Sequence, residues 1–73
     1  MYQLNKFNKM NTIYLNIRTS EGVETVDQFT KGEDAPQNAK EFRKYVNDMV
    51  KEYHISGQNV YKSSRSTKEW RQK

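Results

Sequence analysis

The sequence predicts an α+β fold: a β-hairpin, one amphipathic helix and a third strand in ββαβ order, with the helix packed on one face of a small antiparallel sheet. Three observations predict it. Residues 12–19 alternate apolar and polar side chains with period two. Between Asn38 and Ser56 the apolar residues Phe42, Tyr45, Val46, Met49, Val50 and Tyr53 recur at intervals of three and one, which is one stripe of a helix. Gly22, Pro36 and Gly57 punctuate the chain where these patterns begin and end.

The first strand, Thr12 to Thr19, puts Ile13, Leu15 and Ile17 on one face and Tyr14, Asn16 and Arg18 on the other. Ser20-Glu21-Gly22 supplies turn chemistry, and Val23 to Phe29 reads as the return strand. A two-residue turn at Glu21-Gly22 sets Ile17 opposite Val26 and Arg18 opposite Thr25. A three-residue loop sets Ile17 opposite Thr25 instead. The first register pairs apolar with apolar and is preferred, but a slip of one residue reverses the faces. The second strand carries Asp27 and is only weakly amphipathic, which suits an edge.

Thr30 to Gln37 is a polar surface connection. Its Glu33-Asp34 pair lacks the regularly spaced oxygen ligands of a calcium loop. Asn38, with Glu41 three residues on, is a capping-box variant that starts the helix, and a start at Asp34 with Pro36 in the first turn is the alternative. Gly57 supplies the left-handed residue that ends it, with His54 in the last turn. After a Gly57-Gln58-Asn59 turn, Val60 to Arg65 reads as the third strand. Ser66 with Glu69 three on signals a short helical turn, and Trp70 is its anchor.

These elements make one domain over residues 10–65, with 1–9 as a flexible or edge extension and 66–73 as a basic tail. A chain of 73 residues without Cys has no disulfide to staple it and must rely on its core. Pairing of a strand edge with a second copy would add stability, so a homodimer of that kind is one expectation. No apolar run approaches the roughly 18 residues that span a bilayer, and the N-terminus lacks the apolar core of a signal peptide. A cytoplasmic protein with no membrane contact is the resulting expectation.

Enzymatic chemistry finds little footing, and the expectation is a non-enzyme. There is no Cys and a single His, His54, with no carboxylate set paired to it by spacing. The three glycines are isolated, so no phosphate-cradling loop exists. No metal site and no cofactor are expected. Charge is more informative. The net +4 sits entirely in residues 62–73, because residues 1–61 are neutral in sum. Lys62, Arg65, Lys68, Arg71 and Lys73 are interleaved with hydroxyls and Trp70. Cations and hydroxyls suit phosphate oxygens, and an indole stacks on an unpaired base. Those six side chains are therefore the candidate binding residues, against the plainer reading of a solubilising tail with Trp70 in the core.

The stretches Met-Asn-Thr-Ile-Tyr-Leu-Asn-Ile-Arg-Thr (10–19), Lys-Glu-Phe-Arg-Lys (40–44) and Val-Tyr-Lys-Ser-Ser-Arg-Ser-Thr-Lys-Glu-Trp (60–70) resemble short open reading frames of phages and prophages of Gram-positive bacteria. The likeness is one of general texture and transfers no site residue. It implies a protein of the host cytoplasm that acts by binding. Two partners fit: nucleic acid, met by the basic C-terminal segment, or a host or defence protein, met by a strand edge and exposed Tyr14 and Tyr61.

Overall fold

A computed structural model describes residues 11–70. The expectations for residues 1–9 and for Arg71 and Lys73 lie outside the described residues. The chain forms β1 (Thr12–Thr19), β2 (Gly22–Thr30), α1 (Ala39–Ile55) and β3 (Tyr61–Ser63). The three strands make one antiparallel sheet in the order β2-β1-β3, and α1 lies across one face. The ββαβ order read from the sequence is the order of the fold.

The hairpin turns one residue earlier than the sequence suggests. Thr19 pairs with Gly22, so Ser20-Glu21 form the turn. The Thr19 hydroxyl closes it, donating to the Gly22 carbonyl (3.0 Å) and accepting from the Glu21 amide (3.1 Å). Gly22 starts the return strand at φ 127°, a conformation side chains other than Gly's rarely adopt. Ile17 consequently faces Glu24 and Arg18 faces Val23, in place of the expected Val26 and Thr25. Further along, the register shifts between Leu15 and Asn16, where Val26 is the extra residue of a β-bulge. The bulge lets adjacent residues serve one face: Val26 packs against the core, and Asp27 accepts a hydrogen bond from the Tyr53 hydroxyl of α1 at 2.7 Å.

The helix starts at its expected cap. Asn38 Oδ1 accepts from the Lys40 and Glu41 amides at 2.9 and 3.1 Å, satisfying two of the first-turn donors. At the other end Gly57, at φ 91°, donates to the His54 carbonyl, and the Gln58 amide donates to Tyr53. Leu15, Phe29, Phe42, Val46 and Val60 form the buried core, with Leu15 wholly buried. Ile13, Ile17, Tyr45, Met49, Val50 and Tyr53 pack around it. Tyr45 meets Phe29 edge to face, centroids 5.4 Å apart. β3 is shorter than the strand expected from Val60 to Arg65. Val60 is buried just ahead of it, and the chain leaves the sheet after Ser63.

The departing chain does not project into solvent. It crosses the second face of the sheet from β3 towards β2. Asn16 Nδ2 on β1 donates to the Arg65 carbonyl (3.1 Å), the Thr67 amide donates to Thr25 Oγ1 on β2 (2.9 Å), and the Trp70 indole N–H donates to Gln28 Oε1 on β2 (2.8 Å). Asn16, Thr25 and Gln28 are buried, and Thr25 also donates to Asn16 Oδ1 at 2.7 Å. Residues 66–70, which the sequence assigns to a tail, thus roof a polar face. In place of the helical turn expected there, the chain makes one reverse turn, closed by the Trp70 amide on the Thr67 carbonyl.

Candidate nucleic-acid interface

The crossing path separates the basic residues that the sequence places in one segment. Lys62 stays at the seam between β3 and α1, where its Nζ donates to Asn47 Oδ1 at 2.6 Å. The Arg65 backbone lies over β1. Lys68 and Trp70 belong to the stretch held against β2. Trp70 is half-buried and its N–H is committed to Gln28, so the indole is a clamp on the sheet. Lys62 and Trp70 therefore lie on opposite sides of the sheet, at β3 and at β2.

A different grouping does emerge, by charge and by side of the molecule. The β2 side is acidic: from Glu21 to Asp34 the chain has Glu21, Glu24, Asp27, Glu33 and Asp34 against Lys31 alone. Glu69 lies there too, with Glu21, Glu24 and Trp70 around a cleft of about 510 Å³ beside the hairpin turn. The helix repeats the division on its two flanks. At 100° per residue, Glu41, Asp48 and Glu52 share the flank of Tyr45, which meets Phe29 of β2. Lys40, Arg43, Asn47 and His54 share the other flank, which is pinned to β3 by Asn47 on Lys62 and by His54 Nε2 donating to the Val60 carbonyl at 2.9 Å. Lys44, on the outer crest, pairs with Asp48 at 3.2 Å.

The β3 side is correspondingly basic. Arg18 of β1 lies over the Tyr61 ring, 5.9 Å from its centroid. Arg43 and Lys62 stand on either side of a groove of about 280 Å³ between α1 and β3. Ile13, Phe42 and Val46 give that groove an apolar floor, and Ser63 and Ser64 complete its rim. Sequence reasoning missed Arg18 and Arg43 because a run of cations near the C-terminus is conspicuous, whereas a division by helix flank is not. The signal was nonetheless present: Lys40 and Arg43 against Glu41, Asp48 and Glu52 on a helical projection.

The remaining candidates are structural. His54 ties the helix end to the entry of β3. Asp34 accepts from the Thr30 amide at 2.6 Å, so half of the acidic pair in the loop caps a strand. Among the described residues no three His, Asp or Glu side chains converge as metal ligands, and no helix is long and apolar enough to cross a membrane. The Tyr53 hydroxyl has a clearly displaced titration. Burial, then its hydrogen bond to Asp27, then the Asp27 charge disfavour the phenolate and push the hydroxyl up to about 12. No family model, no curated protein and no solved structure matches the chain.

Proposed function

We propose that the chain is a small non-enzymatic binding module, phage- or prophage-encoded and acting in the host cytoplasm, that takes nucleic acid on its basic β3 side. One observation carries this reading: Arg18, Arg43 and Lys62 lie on the β3 side, whereas Glu21, Glu24 and Glu69 line the cleft beside β2. Cations spread evenly would attract a polyanion weakly. Arg18 over the Tyr61 ring, with Arg43 and Lys62 at the groove between α1 and β3, makes a local positive field that phosphates feel. The exposed Tyr61 ring beside Arg18 adds an aromatic surface to that edge. The test is a titration of labelled single- and double-stranded oligonucleotides at two salt concentrations. Binding that weakens steeply with salt, and falls at least tenfold in the Arg43→Glu/Lys62→Glu double variant, is expected. Absence of binding at low salt removes the proposal. A host protein with an acidic surface is the second reading, favoured by the exposed Tyr61 on a three-residue edge strand. A partner recovered from lysate after nuclease treatment and lost in the same double variant would favour it.

A further inference from the structure

Resting on that reading, we infer that the groove between α1 and β3 accepts an unpaired base, so that the module prefers single-stranded nucleic acid. The groove joins two chemistries within one small volume. Its floor, Ile13, Phe42 and Val46, is apolar and belongs to the edge of the core, so it is held by packing. Its rim carries two cations from different elements, Arg43 from α1 and Lys62 from β3, with the serines at the end of β3. At about 280 Å³ it lies at the lower limit of ligand pockets, a size for one ring system and not for a large ligand. The occupant that complements such a site has a flat apolar body and anionic groups attached to it at short range. A nucleotide within a single strand has both.

A base in a duplex is stacked and paired and cannot reach the floor, whereas an unpaired base can. Lys62 lines the groove and is held by Asn47, 2.6 Å from its ammonium, which leaves its remaining protons for phosphate oxygens. The larger cleft beside Trp70 offers no such match, because Glu21, Glu24 and Glu69 repel a polyanion. An acidic peptide with an apolar anchor shares part of the complementarity. The sugar-phosphate chain satisfies the rim on both sides of each base, and for that reason the nucleic acid is favoured.

The experiment compares three probes of equal length on the unmodified chain: an oligothymidylate, an abasic deoxyribose-phosphate oligomer and a duplex. The oligothymidylate should bind about tenfold more tightly than either of the others, and the Ile13 methyl resonances should shift with it alone. Ser64→Leu, which places a branched side chain with no stacking face at the exposed lip of the groove, should narrow that gap. Equal binding of all three probes overturns the groove assignment and leaves the basic side standing. Binding of none overturns both. A blocked peptide of alternating Glu and Leu that displaces the oligothymidylate and shifts Ile13 more strongly would assign the groove to a protein ligand instead.

Discussion

The indole N–H of Trp70 donates to Oε1 of Gln28, 2.8 Å away, and Gln28 is buried beneath the segment that carries Trp70. A side chain three residues from the C-terminus thus satisfies a polar group in the second strand, and the two depend on each other.

Trp70→Phe keeps most of the ring but leaves the Gln28 carbonyl oxygen without its donor. Loss of about 1–2 kcal/mol is expected, measured by urea unfolding. Gln28→Leu removes the acceptor, and the double variant Trp70→Phe/Gln28→Leu should recover part of the loss, because two apolar partners no longer strand a polar atom. Emission from Trp70 in the unmodified chain should be partly protected from quenchers. Full quenching equal to a free indole would contradict the docked segment.

Tyr53 and Asp27 link the helix to the bulged strand through a 2.7 Å hydrogen bond. The folded-state value of Tyr53, about 12, exceeds the ordinary 10, so the unfolded chain releases this proton first as pH rises. The contribution to stability is whole below pH 10 and is lost as pH climbs from 10 through about 12. Unfolding free energy measured by circular dichroism should fall across that window. Tyr53→Phe should flatten that fall and lower stability by about 1 kcal/mol at neutral pH. An unchanged alkaline profile in Tyr53→Phe would rule out this linkage.

β2 is an edge strand, yet its outward amides at Gln28 and Thr30 are already engaged by the carboxylates of Asp27 (2.8 Å) and Asp34 (2.6 Å). Carboxylates on an edge deny a second chain the donors it would pair with. Asp34→Ala should free the Thr30 amide and raise self-association, read as a concentration-dependent sedimentation coefficient absent from the unmodified chain. No association at high protein concentration would show that the edge is guarded by other means. The strand-edge homodimer expected from the sequence would have to form without the Gln28 and Thr30 amides on this side.

Much of the fold was legible, for identifiable reasons. The 3.6-residue stripe and the Asn38 cap mark the helix directly, and α1 runs Ala39–Ile55 from that cap. The hairpin was legible but its register was not. Gly22 looked like a turn residue, whereas its positive φ serves the first position of the strand and the Thr19 hydroxyl makes the turn. The bulge at Val26 leaves no trace in a period-two pattern. The burial of Asn16, Thr25 and Gln28 has no signal in the sequence, because a polar face roofed by a polar segment has no apolar signature. The basic side was hidden for a related reason: which helix flank meets which strand depends on the order β2-β1-β3, and that order is a tertiary property.

With Glu21, Glu24 and Glu69 beside β2 and Arg18, Arg43 and Lys62 on the β3 side, the described charges are placed unevenly across the strands. In the field of a polyanion such a body is turned before it touches, with β3 leading. Encounters then begin already aligned, so added salt should slow arrival far more than it hastens departure. Under the nucleic-acid reading proposed above, this orientation would raise the speed of capture more than its duration.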